Sequence, residues 1–206
     1  RTTSDHFTLM LRTADGGVTV IFNGEIYNLR ELRAELESLG CRFATQSDTE
    51  VLLHGWRRWR QDLPRRLRGL FAFALWDSVE QTLFLARDPF GKKPLHYALL
   101  ADGTLVFGSE IKAVLCAPGV GRALDTQAVE DFFTYGYVPD PKTIYRSIRK
   151  LDAAHYMVAR RGRSVEMRRY WSALDHLVQP NAEPEEELVE RLNHAIKGRL
   201  ISDVAL

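Results

Sequence analysis

The chain has 206 residues, of which 45% are hydrophobic and 27% are charged, the composition of an ordinary soluble globular protein. Its 28 basic and 27 acidic residues nearly balance, so no basic excess points to nucleic acid or an anionic membrane as a partner. The longest uninterrupted apolar run, residues 70–76, is far shorter than the ~20 residues that span a bilayer. Cys41 and Cys116 belong to no CxxC or Cys/His cluster, which argues against a disulfide framework or a zinc site and favours a reducing cytoplasm.

Short β-rich runs joined by turns that contain Gly or Asp recur along most of the chain. Four pairs have the pattern of hairpins: residues 8–13 with 18–23, 70–77 with 82–87, 95–100 with 104–107, and 155–160 with 164–170. Neighbouring antiparallel pairs predict a large antiparallel or mixed sheet system rather than a doubly wound parallel sheet. Together with a few amphipathic helices, they predict an α+β fold in layers.

The clearest predicted helix begins at Asn28, whose side chain is placed to cap it while Glu31 stands three residues on, as in a capping box. Gly40 supplies the stop at the C-terminal end. Between these ends, leucines recur at spacings of three and four, namely Leu29, Leu32, Leu36 and Leu39. They predict one apolar stripe that packs on a sheet or on another helix.

A second predicted helix opens with Ser-Asp-Thr-Glu at residues 47–50, again the pattern of a capping box. Its predicted apolar stripe consists of Leu52, Trp56, Trp59 and Leu63. Residues 57–68 hold six arginines, but Asp62 and Pro64 dilute this group, so a solvated face is favoured over a nucleic-acid interface. A third helix is predicted over residues 125–135.

The pattern changes after Trp171, because two prolines within residues 179–184 interrupt both helix and strand and predict a linker. One more helix is predicted to follow, with the acidic residues 185–187 at its positive end and Lys197 and Arg199 at its negative end. Its predicted buried stripe is Leu188, Leu192 and Ile196. We interpret this helix as the opening of a second domain.

The most suggestive site pattern is Phe-Asn-Gly-Glu-Ile-Tyr-Asn at residues 22–28, where an apolar strand is predicted to break at Asn23 and Gly24 before a helix. A strand-to-helix turn explains the pattern by itself, since Asn and Gly tolerate unusual backbone angles. The same geometry lets a side-chain amide and an adjacent backbone N–H point at one oxygen. An oxyanion hole requires such a pair, each donor being worth ~3 kcal/mol of barrier. The residues alone leave both interpretations open.

Asp48, at the start of the second helix, is the other candidate site residue. A half-buried carboxylate there can hold a substrate ammonium through a charge-assisted hydrogen bond worth ~2 kcal/mol. A carboxylate at a helix N-terminus is also favourable without any ligand. The local pattern by itself favours this structural explanation.

The charged turn at residues 87–94 is interpreted as structural, because two prolines and a glycine fix its shape. Arg87 and Asp88 are predicted to form an ion pair within it. The six histidines are scattered, none stands at metal-ligand spacing from another, and none is assigned a role.

Six strings of residues occur in series along the chain. They are FNGEIYN at 22–28, SDTE at 47–50, RGLFAFALWD at 68–77, ARDPFGKKPLHY at 86–97, FGSEIKA at 107–113 and YGYVPDPKTIYRSIRKL at 135–151. Taken together and in this order, they resemble the glutamine-hydrolysing asparagine synthetases. The resemblance covers nearly everything from about Leu9 to Trp171, and the tail RLISDVAL is similar to the start of that family's synthetase domain.

The resemblance implies an N-terminal-nucleophile hydrolase fold, a four-layer αββα sandwich of two antiparallel sheets between helices, acting as a class II glutamine amidotransferase domain. In the family, an N-terminal cysteine attacks the side-chain amide of glutamine with its own α-amine as the base, and the thioester is hydrolysed to glutamate. The ammonia passes to a synthetase domain, where ATP with Mg²⁺ and aspartate form an aspartyl-adenylate that becomes asparagine. The glutaminase domain itself needs no cofactor.

Carried over by the same motifs, Asn23 and Gly24 match the catalytic oxyanion-hole pair and also contact the substrate. Glu25 adjoins the substrate, and Asp48 matches the group that holds the glutamine α-ammonium. The resemblance therefore reverses the local preference at Asp48. It implies glutamine as the partner here, aspartate and ATP as partners of the synthetase domain, and it leaves a homodimer as one option for the assembly.

The departures from the family pattern lie at the two ends. The N-terminal cysteine, the first strand and the arginine segment that holds the glutamine carboxylate have no match before Leu9, and the SGGxDS loop for ATP is not reached. Cys41 and Cys116 are not terminal and have no free α-amine to serve as base.

We therefore expect an N-terminally incomplete glutaminase domain at residues 1–171, a linker at 172–184, and the start of a truncated synthetase domain at 185–206. The alternative is a degenerate, non-catalytic glutaminase-like module of a related ATP-dependent amide or lactam synthetase. The first residues of the encoded protein separate the two readings, because a processed cysteine there supports the enzyme.

Overall fold

The computed structural model of the chain describes residues 9–176, 184–197 and 199. Within these residues the strands are β1 (Leu9–Arg12), β2 (Val18–Ile26), β3 (Gly69–Asp77), β4 (Thr82–Arg87), β5 (His96–Leu99), β6 (Leu105–Gly108), β7 (Arg149–Lys150), β8 (His155–Arg160) and β9 (Glu166–Arg169). The α-helices are α1 (Leu29–Ser38), α2 (Asp48–Trp59), α3 (Leu63–Arg66), α4 (Ile111–Val114), α5 (Thr126–Tyr135) and α6 (Pro184–Lys197).

The strands form two antiparallel sheets. The larger sheet has the strand order β1-β2-β3-β4-β8-β9, and the smaller sheet has the order β6-β5-β7. The four predicted hairpins are confirmed as β1/β2, β3/β4, β5/β6 and β8/β9. Strand β2 departs from the prediction that it breaks at Asn23, because it stays in register with β3 as far as Ile26, which pairs with Gly69.

Helices α1 and α2 cover one face of the large sheet. Alternate aromatic side chains of β2, β3 and β4 point to this face, namely Phe22, Phe71, Phe73 and Phe84. Leu36 of α1 and Trp56 of α2 belong to the same buried cluster, and the Trp56 ring centre lies 4.9 Å from that of Phe84. The predicted leucine and tryptophan stripes therefore pack on a sheet, except at Leu39, which follows the end of α1 and is 43% exposed.

The opposite face of the large sheet packs against the small sheet. The residues between these faces include Ala72, Ala74, Leu85, Leu95 and Met157. On the outer face of the small sheet, Ala98 packs with Val114 of α4 and with Ile148. The order of layers is helices, large sheet, small sheet, helix, so the predicted α+β sandwich of two antiparallel sheets between helices is confirmed.

The predicted capping box at the start of α1 is not formed. Asn28 stands at the N-cap position, but its side chain makes no cap hydrogen bond. Its amide nitrogen donates to the Arg66 carbonyl oxygen at 2.9 Å, and its amide oxygen accepts from the Arg68 N–H at 2.9 Å. The side chain thus ties the turn after β2 to the segment before β3, because that segment offers backbone groups that also need partners.

At the start of α2, one half of the predicted capping box is confirmed. The Ser47 hydroxyl accepts from the Thr49 N–H at 3.2 Å. The other half is wrong, because the buried Glu50 carboxylate accepts from the N–H groups of Ala44 and Thr45, each at 2.7 Å. Glu50 therefore fixes the loop that leads into α2.

The predicted ion pair between Arg87 and Asp88 is also wrong. Arg87 is buried and pairs instead with Asp140, with 2.7 Å between the guanidinium nitrogen and the carboxylate oxygen. Asp88 is 1% exposed, and its carboxylate accepts backbone N–H groups of its own turn and that of Phe71 on β3. Backbone donors of the turn and of β3 occupy the Asp88 carboxylate, and Arg87 pairs across the fold. The interpretation of this turn as structural is supported.

Arginines of the group at residues 57–68 form ion pairs with acidic residues of the large sheet, its turns and helix α1. The pairs are Arg57 with Asp15, Arg60 with Asp77 and Glu80, and Arg66 with Glu35. The arginine side chains in these pairs are 43–45% exposed. Partial exposure and acidic partners support the solvated-face interpretation.

Helix α6 is present as predicted, but its apolar stripe is not buried among the described residues. Leu188, Leu192 and Ile196 are 52–57% exposed. The predicted burial is wrong for this chain because none of its described elements covers that face. The predicted linker lies largely outside the described residues. None of the helices that the structure describes combines the length and apolar character needed to cross a bilayer.

Asp77 closes the β3–β4 hairpin and offers a stability test. Its carboxylate accepts from the Trp56 ring N–H and from Arg60, each at 2.8 Å, and from two backbone N–H groups of the turn. Burial alone raises the pKa of Asp77, but these hydrogen bonds outweigh it and hold the pKa below 3.8. The ionised form is therefore the one that stabilises the fold above the unfolded-state pKa.

We expect Asp77→Ala to lower the free energy of unfolding by about 2 kcal/mol at pH 7, because a buried indole N–H loses its acceptor. The deficit relative to wild type should shrink as the pH falls below 4 and Asp77 becomes protonated in the wild type. Urea unfolding at pH 7 and at pH 3 measures both values. Asp62→Ala, which removes an exposed ion-pair partner of Arg65, is the control and should change stability by less than about 0.5 kcal/mol.

Candidate active site

The C-terminal end of β2 carries the predicted site residues on a rigid strand. Asn23 and Gly24 are partly exposed and Glu25 is exposed, whereas Phe22 and Ile26 on either side are buried. Buried residues anchor this stretch, and pairing with β3 continues along its whole length. The polar residues between them are therefore presented to solvent from a fixed backbone.

The backbone of β3 comes unusually close to Gly24. A Cβ atom at this position would lie 2.2 Å from the Leu70 carbonyl oxygen and 2.7 Å from the Phe71 Cα. Real Cβ atoms essentially never approach a neighbour so closely. Glycine is required at this position by the close approach of β3, in addition to any role of its N–H group.

The structure brings Asp48 to the same end of β2. Asp48 is the first residue of α2, it is half-buried, and the backbone N–H groups of Thr49 and Ile26 lie close enough to its carboxylate to lower its pKa. The Thr49 hydroxyl lies 3.4 Å from a carboxylate oxygen. The structure thus brings Asp48, more than twenty positions away in the sequence, next to the end of β2 that carries the other candidates.

The electrostatics of Asp48 do not favour its charged form. Burial is the largest effect and raises the pKa of Asp48, and the negative charge of Glu25 raises it further. Hydrogen bonds from Thr49 and Ile26 lower it but do not compensate. A carboxylate whose charged form is disfavoured in this way is stabilised by a bound cation, because the cation replaces the lost water and offsets the neighbouring negative charge.

Other groups of chemical interest lie elsewhere. His54 contacts the Phe43 ring, with 4.7 Å between ring centres, and His96 is buried against the Ser109 carbonyl oxygen at 3.0 Å. Cys41 packs at the edge of the main core, and Cys116 is exposed. Within the residues that the structure describes, no group of three or more His, Cys, Asp or Glu is placed to hold a metal ion.

Two contributors to the site were not predicted from the sequence. The Ile26 N–H contacts Asp48, and Gly69 lies opposite Ile26 at the start of β3. A backbone donor has no sequence signature of its own. A glycine directly before the apolar run at residues 70–76 was the one signal for Gly69.

Comparison with known families and structures agrees with this architecture. The family model described as a glutamine amidotransferase domain matches residues 8–171. Asparagine synthetase [glutamine-hydrolyzing] 1 of Bacillus subtilis (strain 168) is 37% identical over 86% of this chain, and asparagine synthetase [glutamine-hydrolyzing] 3 of the same organism is 36% identical over 90%. The chain spans only 27% and 30% of the lengths of these two relatives.

Among solved structures, the glutamine phosphoribosylpyrophosphate amidotransferase of B. subtilis complexed with ADP and GMP matches with a TM-score of 0.54. The two are 22% identical, and the match covers 80% of this chain and 32% of that one. At this identity the likeness establishes the fold, which is the N-terminal-nucleophile hydrolase sandwich. Fold, family match and relatives agree, and the chain belongs to the family of glutamine amidotransferase domains, resembling those of glutamine-hydrolysing asparagine synthetases.

Proposed function

We propose that this domain hydrolyses glutamine to glutamate and supplies the ammonia to a synthetase domain of the complete protein, which makes asparagine from aspartate with ATP. The main support for the proposal is that Asp48 lies beside the C-terminal end of β2. An ammonium-binding carboxylate and two candidate oxyanion donors then belong to one site, as a glutamine side-chain amidase requires.

In this proposal the Asn23 side-chain amide and the Gly24 N–H donate to the oxyanion that forms on the glutamine amide carbonyl. Along an antiparallel strand, alternate residues direct their N–H groups to the same edge. The Ile26 N–H leaves the β2–β3 ladder and reaches Asp48, so the Gly24 N–H, two residues earlier, is expected to point to that same edge.

Asp48 holds the α-ammonium of glutamine, and Glu25 adjoins the substrate. The two carboxylates repel one another, and a bound cation relieves that repulsion. This arrangement selects a free amino acid, since an N-acylated glutamine lacks the positive charge. Asn23 and Gly24 act on the other end of the same molecule, at its amide.

The nucleophile in this proposal is an N-terminal cysteine of the complete protein, whose α-amine takes the thiol proton. The thiolate attacks the amide carbon, ammonia leaves, and water hydrolyses the thioester to glutamate. ATP and Mg²⁺ serve the synthetase domain, and no step at the site described here passes through them. We further propose the domain division at residues 1–171, 172–184 and 185–206, a cytoplasmic location, and a homodimer as the assembly to be tested.

The curated relatives do not favour the alternative of a degenerate module in a related amide or lactam synthetase. The test is a paired assay of the complete protein with ATP and aspartate, supplied with either glutamine or ammonium chloride. We expect asparagine from both nitrogen sources, and glutamate released in equal amount to asparagine when glutamine is used. Asparagine from ammonium chloride alone, with no glutamate from glutamine, would contradict the proposal and support the degenerate module.

A further inference from the structure

A second glycine faces the candidate site from the neighbouring strand. A Cβ atom at Gly69 would lie 2.1 Å from the Glu25 carbonyl oxygen and 3.2 Å from the Ile26 Cα. The same holds in the other direction, because a Cβ atom at Gly24 on β2 would lie 2.2 Å from the Leu70 carbonyl oxygen on β3. Glu25 pairs with Leu70 in the ladder, so each strand has a glycine directly before that pair. The two backbones approach each other here more closely than side chains allow.

The register at this point is fixed by further hydrogen bonds. The Tyr27 N–H donates to the Arg68 carbonyl oxygen at 2.7 Å, and the Asn28 side chain accepts from the Arg68 N–H at 2.9 Å. Sliding one strand along the other would break both bonds. A side chain added at Gly69 would therefore have to displace the Glu25–Ile26 peptide outward from β3.

That peptide carries the N–H group that contacts Asp48. Ile26 is the direct cross-strand neighbour of Gly69, and its N–H lies close enough to the Asp48 carboxylate to lower the pKa of that group. We propose that Gly69 is a positioning residue for substrate binding, because its missing side chain keeps the Glu25–Ile26 peptide in place against Asp48. The proposal rests on the proposed role of Asp48 in holding the glutamine ammonium. Gly69 itself contacts no substrate in this account.

The test compares steady-state glutamine hydrolysis by wild type and Gly69→Ala in the complete protein. We expect KM for glutamine to rise about tenfold, the effect of losing a hydrogen bond to a charged group, while kcat stays within about threefold. A general structural defect would instead reduce the active fraction, which lowers kcat and leaves KM unchanged. In an Asp48→Ala background, Gly69→Ala should add little to KM, because the two changes act on one contact.

Gly121→Ala is the matched control, since a Cβ at that position meets only the Ser147 side chain at 3.6 Å. It should leave KM and kcat at wild-type values. Where Gly69→Ala does not fold, Ile26→Pro provides the second variant, because it removes the same N–H group directly, and Ile26→Val accounts for lost packing. Ile26→Pro should show the same tenfold rise in KM relative to Ile26→Val.

Wild-type KM in Gly69→Ala or in Ile26→Pro would overturn the positioning role, as would a fall in kcat without a change in KM. These results are distinguishable from failure of the proposed function. If the wild-type protein releases no glutamate from glutamine, the proposed function itself is refuted. A wild-type protein that is active, with a Gly69→Ala variant of unchanged KM, rejects only the inference about Gly69.

Discussion

Replacing Asp48 with alanine is expected to raise the KM for glutamine by about two orders of magnitude, within the ~2 to 5 kcal/mol that loss of a buried ionic partner costs. The carboxylate is half-buried, and the negative charge of Glu25 acts on it. Because the bond to the α-ammonium is present in both ground and transition states, kcat should change little. Initial rates of glutamate release at varied glutamine concentration measure both constants.

Asp125→Ala is the matched control for this variant. Asp125 is also an acid at the start of a helix, where its carboxylate accepts N–H groups of Gln127 and Ala128. Its removal should cost about 1 kcal/mol of stability and leave the KM for glutamine unchanged. An Asp48→Ala variant with wild-type KM would refute the role proposed for Asp48, whatever its stability.

The pH dependence supplies a second readout for Asp48. Burial raises its pKa above 3.8, so the carboxylate is neutralised at a higher pH than an exposed aspartate. Only the ionised form attracts an ammonium, so KM should rise as the pH falls through this raised pKa. In Asp48→Asn, which keeps the shape and removes the charge, KM should be high at every pH and this acidic dependence should vanish. If KM rises in the same way at acidic pH in wild type and in Asp48→Asn, a group other than Asp48 causes that dependence.

The hairpins could be predicted because their turns are held by contacts between near neighbours. The Asp15 carboxylate accepts the Gly17 N–H at 3.0 Å, and the Asp102 carboxylate accepts the Thr104 N–H at 2.9 Å. Each contact spans two residues and has its own sequence signature in an aspartate followed by glycine. Alternating apolar residues on either side then fixed the faces of the strands.

Two of the errors share a different property, which is that the decisive partner lies far away along the chain. Asn28 bonds to Arg66 across 38 positions, and Arg87 bonds to Asp140 across 53. A local pattern predicts what a polar side chain does when only its neighbours compete for it. It cannot predict a capping residue that is recruited by a distant backbone group, as Asn28 is.

The same distinction applies to the site. The motifs identified Asn23, Gly24, Glu25 and Asp48 through a family resemblance, and the sequence alone left structural explanations open for Asn23, Gly24 and Asp48. What the resemblance did not contain was the contact that joins the two motifs, from the Ile26 N–H to the Asp48 carboxylate. That contact depends on β2 continuing past Asn23 in register with β3. If β2 had ended at Asn23 as predicted, Ile26 would lie in a turn rather than in the strand.

Asn23→Ala is expected to lower kcat for glutamine hydrolysis by about 100- to 1000-fold, the usual cost of removing one oxyanion-hole donor. The side chain is partly exposed and the backbone is held by pairing with Ala72, so the fold should tolerate the change. Negative charge develops on the amide oxygen only during attack. The lost donor therefore weakens the transition state far more than the bound substrate, and KM should stay within about threefold of wild type.

Together with Asp48→Ala, this variant separates the two ends of the site, because one changes kcat and the other changes KM. Gln127→Ala, which removes an exposed carboxamide from α5, is the control for loss of an amide group and should leave both constants unchanged. Melting temperatures of Asn23→Ala and wild type within about 2 °C would confirm that the fold is intact. An intact Asn23→Ala protein with wild-type kcat would mean that the oxyanion is stabilised elsewhere, and the end of β2 would lose its catalytic role.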